Sequence, residues 1–190
     1  MTRKKVFIIL LCIVIAGMGV IYAALSQNLN ISSTSTVASN TWNMVLTNTS
    51  TTYCEVTGNA SIGTPTVTGT EIIFNGLVLR DHGDSITCTF RVLNTGTVDA
   101  KLYSVSILTP TYEGVGQNKT ADEELISENI TTSFSYSDGT QIATNNAYAS
   151  VAANTGYRDI KMTATYSGNS VPMNDVIIKN VGIVLTYQQA

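Results

Sequence analysis

The one histidine of the chain, His82, lies in a charged run between Asp81 and Asp84. An imidazole beside carboxylates is a common arrangement for a general base or a metal ligand. A zinc protease of the HExxH type needs a second histidine one helical turn away, which this sequence cannot supply. The chain also lacks a GxSxG elbow, a P-loop and a GxGxxG motif. We therefore interpret His82 as part of a polar turn and expect a protein that is not an enzyme and has no catalytic residue.

A second chemical candidate is the acidic group between Asp122 and Glu128. Carboxylate oxygens are the ligands that Ca²⁺ prefers, but the D-x-D-x-D-G spacing of a calcium loop is missing. The same residues fit a capping box, in which Thr120 is the N-cap and Glu123 reaches back to it. Acidic residues in a first turn are also favoured by the helix dipole. We predict a short helix over 121–129 and expect no metal and no cofactor.

Three cysteines occur, and Cys12 lies inside an apolar run, whereas Cys54 and Cys88 lie in the polar part of the chain. In an oxidising compartment, an isolated pair is most simply a disulfide. A bond between Cys54 and Cys88 would close a loop of about 35 residues and contribute roughly 3–4 kcal/mol in the chain-entropy model. The alternative is two separate buried thiols, each acting as a small apolar side chain.

The N-terminal segment has the layout of an export signal. Basic residues at 3–5 precede an apolar run over 6–25, and Ala23 and Ala24 are small residues where a signal peptidase would cleave. We predict that 1–23 is a signal peptide and that the remainder is secreted into an extracellular matrix or onto the cell surface. The alternative is an uncleaved transmembrane anchor, because about 20 apolar residues span a bilayer core of roughly 30 Å. In both cases the protein meets the membrane only through this segment.

Removal of residues 1–23 leaves 24–190, which is a usual size for one domain. Three of the 10 basic residues leave with the signal, so 7 basic and 13 acidic residues remain, a formal charge of −6. An acidic domain without a Lys/Arg cluster is not expected to bind nucleic acid. Charged residues make up only 12% of the chain, so Thr, Ser, Asn and Gly must supply the polar surface. This composition is typical of extracellular β-domains and fibre subunits.

Alternation of apolar and polar side chains with period two dominates the rest of the chain. The same pattern occurs in 85–92, 160–166 and 181–187, and Gly-, Asn- and Asp-rich turn signals separate such segments. About eight or nine short strands and one short helix predict an all-β fold, a jelly-roll or Ig-like antiparallel β-sandwich. The predicted inward sets are Ile86, Cys88, Phe90 and Val92 in the first segment, Ile160, Met162, Ala164 and Tyr166 in the second, and Val181, Ile183, Leu185 and Tyr187 in the third.

Three finer features of this sandwich are expected. Strands at 85–93 and 99–108 are predicted to form a β-hairpin around the turn at 94–97, where a glycine can adopt positive φ. The segment 72–79 is predicted to be either a central strand with a bulge or two short strands, because an Asn-Gly pair interrupts it. Trp42 begins a short alternating stretch and is expected to lie in the core.

The segment that follows the signal, 24–38, is a candidate donor strand. Its apolar residues Leu25, Leu29 and Ile31 fall on one face, and the stretch is uncharged. A free N-terminal strand can complete the sheet of a neighbouring subunit, because a sheet edge presents unpaired backbone groups. The alternative is a first strand that folds back on its own domain.

Two motifs resemble those of the TasA/camelysin (CalY) family of exported proteins. The sequence GVIYAALS at 19–26 is similar to junctions cut by SipW-type signal peptidases, although Leu25 stands where an aromatic residue is usual. The sequence GDSITCTFRVLNTGTVDAKL at 83–102 resembles the hairpin of that family. The resemblance implies a jelly-roll subunit of biofilm-matrix fibres that assembles by donor-strand complementation. Its implied partners are a signal peptidase during export and copies of itself or related matrix subunits in the fibre.

Two functions are therefore expected as alternatives. The first is an exported structural subunit of a cell-surface or biofilm-matrix fibre. The second is a monomeric extracellular binding or adhesin domain, tethered to the membrane by the uncleaved segment 6–25.

Overall fold

The computed structural model describes residues 40–190. Within this part of the chain, the helix that forms is too short and too polar to cross a membrane. The predicted signal peptide, its cleavage site and the donor strand at 24–38 all lie outside the described residues, and so do Ala23, Ala24, Leu25, Leu29 and Ile31.

The described chain is an all-β fold with one α-helix, as the period-two pattern predicts. Twelve strands form, where about eight or nine were predicted, because several have only two to four residues and are too short to show alternation. The helix is α1 (Lys119–Asn129), and the strands are β1 (Met44–Thr47), β2 (Cys54–Thr57), β3 (Thr66–Thr68), β4 (Glu71–Phe74), β5 (Ser85–Asn94), β6 (Ala100–Ile107), β7 (Thr111–Gly114), β8 (Ile130–Tyr136), β9 (Ser150–Val151), β10 (Tyr157–Tyr166), β11 (Val176–Lys179) and β12 (Val181–Gln189).

The strands pair antiparallel in two five-stranded sheets and one two-stranded sheet. The first sheet has the order β1-β5-β10-β8, and β2 pairs with β5 beside β1. The second has the order β3-β4-β12-β6-β9, and β11 pairs with β7 separately. Phe74 of the second sheet and Phe90 of the first have ring centres 6.2 Å apart, so the two sheets face each other across a shared core. This arrangement is a β-sandwich.

The long strands bury the faces that their alternation predicts. The inward set of β5 is buried, and alternate residues of β10 and β12 are buried in the same way. At the end of β12 the register shifts between Thr186 and Tyr187, which leaves Tyr187 only partly buried. The predicted inward residues that are buried are Ile86, Cys88, Phe90, Val92, Ile160, Met162, Ala164, Tyr166, Val181, Ile183 and Leu185.

The predicted hairpin between 85–93 and 99–108 is wrong, because β5 and β6 belong to different sheets. The segment between β5 and β6 instead crosses from one sheet to the other as an arch, which the side chain of Asn94 stabilises. This buried side chain donates to the carbonyls of Val98 (2.9 Å) and Val151 (3.2 Å), and it accepts from the amide of Gly96 (3.0 Å). Turn-forming residues fit an arch as well as a hairpin, so they did not distinguish the two connections.

The helix forms where it was predicted, but the capping box is wrong. The helix begins at Lys119, so Thr120 lies inside it rather than at its N-cap. Glu123 accepts a hydrogen bond from the amide of Gly114 in β7 (2.7 Å) instead of reaching back. The buried carboxylate of Asp122 accepts from the amides of Met173 (2.9 Å) and Asn174 (3.1 Å). Asp122 and Glu123 therefore accept hydrogen bonds from other parts of the fold, and neither stabilises the helix by a capping box.

Two smaller expectations have different outcomes. Trp42 was expected in the core, but it is 43% exposed because it precedes β1 and stands outside the alternating strand. The segment 72–79 is interrupted as expected: β4 ends at Phe74, Gly76 has a φ of +73°, and Leu77 then forms an isolated bridge.

Candidate functional sites: a disulfide, a sheet edge and a surface cleft

The two cysteines predicted to pair lie opposite each other on neighbouring strands. Cys54 of β2 and Cys88 of β5 are register partners, and their Sγ atoms are 2.04 Å apart, a bonding distance. The cross-link spans 34 positions of sequence and holds the short strand β2 against the first sheet. Cys88 is buried in the core, so this end of the bond is shielded from solvent.

The acidic residue of the GDS motif, Asp84, has a structural role. It is 2% exposed, and its carboxylate accepts hydrogen bonds from the amides of Asn59 (2.9 Å), Arg80 (2.9 Å) and Asp81 (3.0 Å). Burial alone would raise the pKa of Asp84, but these three donors and the charge of Arg80 outweigh burial and lower it. Asp84 therefore joins the end of β2 to the turn that precedes β5.

The structure does not bring His82 and Asp84 together as a catalytic pair. His82 is exposed in the turn, with Nδ1 3.2 Å from the carbonyl oxygen of Ser167, whereas the carboxylate of Asp84 faces backbone amides. Among the described residues, no three His, Cys, Asp or Glu side chains converge in a way that would hold a metal ion.

Strand β8 is the longest strand at the edge of a sheet, with seven residues. One flank pairs with β10. On the other flank the described chain makes the bridge between Ser135 and Gln141, and the amide of Ile130 donates to the carbonyl of Ile126 at the end of α1. The amide of Tyr136 points to that outer flank, because it donates to the carbonyl of Thr140 (2.8 Å). Backbone direction alternates along a strand, so the amide of Thr132 also faces outward.

A surface cleft of about 560 Å³ lies at the C-terminal end of β8, beside the first residues of β10. Two of its tyrosines are well exposed, Tyr148 at 38% and Tyr157 at 46%. We call it the tyrosine cleft, and it is lined by Tyr136, Ser137, Asp138, Tyr148, Thr155, Gly156, Tyr157, Arg158 and Asp159.

Hydrogen bonds and ion pairs hold the side chains of the tyrosine cleft in place. The hydroxyl of Tyr148 donates to Asp138 (2.6 Å), which lowers the pKa of Asp138 and raises the pKa of Tyr148. Arg91 donates twice to Asp159 (2.7 and 2.9 Å), and its guanidinium carbon lies 3.7 Å from the ring centre of Tyr157. These contacts fix the positions of the side chains that form the walls of the cleft.

No protein-family model, curated protein or solved structure matches this chain.

The sequence did not single out the residues of the tyrosine cleft. They come from a turn after β8, a 3₁₀ turn at Ala147–Ala149 and the start of β10, which are separate in the chain. The usable signal was the consecutive run Tyr157-Arg158-Asp159, in which an aromatic residue and both charge signs open a strand.

Proposed function

We propose that this protein is an exported structural subunit of a cell-surface or biofilm-matrix fibre. Subunits join by donor-strand complementation: the segment 24–38 of one copy adds to the sheet edge at β8 of the next. The observation that carries the proposal is the outer flank of β8, where Thr131–Ser133 has no strand partner within residues 40–190, between the amide of Ile130 that α1 engages and the bridge at Ser135. A row of unpaired backbone groups is a template for strand addition.

The chemistry of the edge supports strand addition. The sequence of β8 is ITTSFSY, which contains no charged residue and no proline. Charged side chains and prolines are two of the devices that block edge-to-edge pairing, and the open stretch Thr131–Ser133 carries neither. Phe134 is 7% exposed at the margin of the core, and apolar residues of an added strand can pack beside it.

The candidate donor strand has matching chemistry. Its residues Leu25, Leu29 and Ile31 share one face and can extend the apolar face of β8, and the segment carries no charge that would oppose pairing. Cleavage at Ala23 or Ala24 by a signal peptidase would release this strand from the membrane. Export also supplies the oxidising environment in which Cys54 and Cys88 form their bond.

The test compares fibre formation by variants of the full chain expressed with its export signal. Deletion of 24–31 removes the donor, and Thr132→Pro removes an outward amide of the acceptor that the sheet itself does not use. Both variants should be secreted as folded monomers, while the matched variant Thr132→Ala should form fibres. Electron microscopy and size-exclusion chromatography report the difference. Normal fibres from the deletion variant would rule out the donor segment, and normal fibres from Thr132→Pro would rule out β8 as the acceptor.

A further inference from the structure

The tyrosine cleft is a concave surface that strand exchange at Thr131–Ser133 does not use. Its volume of about 560 Å³ lies within the range of small-molecule sites, about 300–1,000 Å³. The cleft is therefore large enough to bind a small molecule, whether or not subunits polymerise.

The charges at the tyrosine cleft cancel, and its basic groups are already engaged. Arg91 is paired with Asp159. Arg158 donates to three backbone carbonyls, those of Tyr148 (3.1 Å), Tyr157 (2.8 Å) and Ser150 (2.5 Å). Recognition of phosphate, sulfate or carboxylate usually depends on a guanidinium fork that is free to bind in bidentate fashion. The cleft therefore favours an uncharged ligand over an anionic one.

The aromatic rings of the cleft pack against neighbouring side chains and are partly open to solvent. Arg91 stacks on one face of Tyr157, and the ring of Tyr148 lies 5.0 Å from that of Tyr136, centre to centre. Tyrosine combines a large apolar face with a polar hydroxyl and loses little conformational entropy on binding. Such faces suit a ligand that has apolar C–H surfaces bordered by hydroxyl groups.

Polar groups next to these rings can bind hydroxyls. The carboxylate of Asp138 accepts hydrogen bonds from Tyr148 (2.6 Å) and from the amide of Thr140 (2.8 Å), and the exposed carboxylate has lone pairs left for further donors. The exposed residues Ser137 and Thr155 add hydroxyls that both donate and accept. Acceptors and mixed donors therefore surround the aromatic faces.

The backbone at the rim of the cleft is strained. Thr155 has a φ of +84°, a conformation that β-branched residues rarely adopt. Its amide donates to the carbonyl of Asn94 (2.9 Å), which holds the loop in this shape. Strain of this kind is concentrated at binding sites, where it fixes the position of a side chain.

We propose that the tyrosine cleft binds a neutral oligosaccharide. The pyranose rings stack their C–H faces on Tyr148 and Tyr157, and their hydroxyls bond to Asp138, Ser137 and Thr155. A sugar ring offers both kinds of surface without a charge, which is the combination that the cleft presents. In a matrix subunit, such a site would attach the protein to polysaccharide.

The experiment screens the purified full-length protein against an array of neutral and acidic glycans. Isothermal titration calorimetry with neutral hexasaccharides of glucose, galactose, mannose and N-acetylglucosamine then measures affinity. Tyr157→Ala and Tyr148→Ala should each weaken binding about tenfold, as expected when an aromatic anchor is lost. Tyr157→Phe, which keeps the ring, should bind almost as well as the wild type. Tyr103→Ala is the matched control, because Tyr103 is 64% exposed on the other sheet.

A blocking variant keeps the test informative if an alanine variant does not fold. Ser137→Trp places a large ring in the cleft from an exposed turn position, and it should abolish binding while the thermal unfolding midpoint stays unchanged. The proposal is overturned if no neutral glycan binds, if only acidic glycans bind, or if the cleft variants bind as tightly as Tyr103→Ala.

Discussion

Gly58 lies directly against Asp84: a Cβ atom on Gly58 would stand 2.0 Å from the carboxylate Oδ1. Gly58 also has a φ of +74°, which residues with side chains rarely adopt. The glycine therefore makes room for the carboxylate that accepts from three backbone amides and joins two segments of the chain. A residue larger than glycine would have to displace a buried, fully hydrogen-bonded charge.

The first prediction concerns this close approach. Gly58→Ala should lower the free energy of unfolding by more than the cost of positive φ alone, which is about 1–2 kcal/mol. Gly69→Ala is the matched control, because Gly69 has a φ of +60° and nothing within 4 Å of its Cβ position. Chemical denaturation of both variants measures the difference. Equal losses would show that Asp84 moves aside at no cost.

The second prediction concerns acid stability. The pKa of Asp84 is lower in the folded protein than its ordinary value of 3.8, so its contribution to stability is present above pH 3.8. That contribution is lost as the pH falls through the lower, folded value. Asp84→Asn replaces one accepting oxygen by an NH₂ group that faces backbone donors. It should lower the free energy of unfolding at pH 7 by about 1–3 kcal/mol.

The pH dependence provides the check on this role. Urea unfolding at pH 7 and at pH 3 should show a smaller loss between the two values in Asp84→Asn than in the wild type. Glu128→Gln, on the exposed surface of α1, should retain the wild-type pH dependence. An unchanged pH dependence in Asp84→Asn would contradict the assignment.

The alternation of side chains was sufficient to predict the sandwich, because each long strand buries one face. It predicted which residues of β5 and β10 point inward, since burial of a face repeats every second residue. It did not predict how the strands connect. In sequence, Asn94 and Gly96 resemble a hairpin turn. The arch depends on a hydrogen bond from the side chain of Asn94 to the carbonyl of Val151, which is distant in the chain.

The candidate sites were harder to predict, because most of their contacts join segments that are distant in the chain. The pairing of Cys54 with Cys88 was predicted because these are the two cysteines outside the apolar N-terminal run, and two cysteines have one simple pairing. The tyrosine cleft was missed because Tyr148 and Tyr157 belong to separate segments that only the tertiary fold brings together. Asp122 was explained by the preference of a first helical turn for acidic residues, although its donors at Met173 and Asn174 come from a loop far along the chain.

The third prediction concerns the cysteines. Replacing both Cys54 and Cys88 by alanine should reduce stability by about 3–4 kcal/mol, because a loop of 34 positions is no longer closed in the unfolded chain. Thermal unfolding with and without dithiothreitol provides the measurement. Reductant should lower the midpoint of the wild type to near that of the double variant and leave the variant unchanged. An equal effect of reductant on both proteins would exclude the cross-link.

The fourth prediction concerns the processing of the N-terminus. Mass spectrometry of secreted material should find the mature protein beginning at or close to Ala24, because small residues at Ala23 and Ala24 suit a signal peptidase. Replacing both alanines by leucine should block cleavage and keep the chain on the membrane. If the donor strand must be released before it can pair, this variant should form no fibres in the medium, although its β-sandwich folds normally. Secreted fibres that retain the intact residues 1–23 would contradict both the cleavage and its role in assembly.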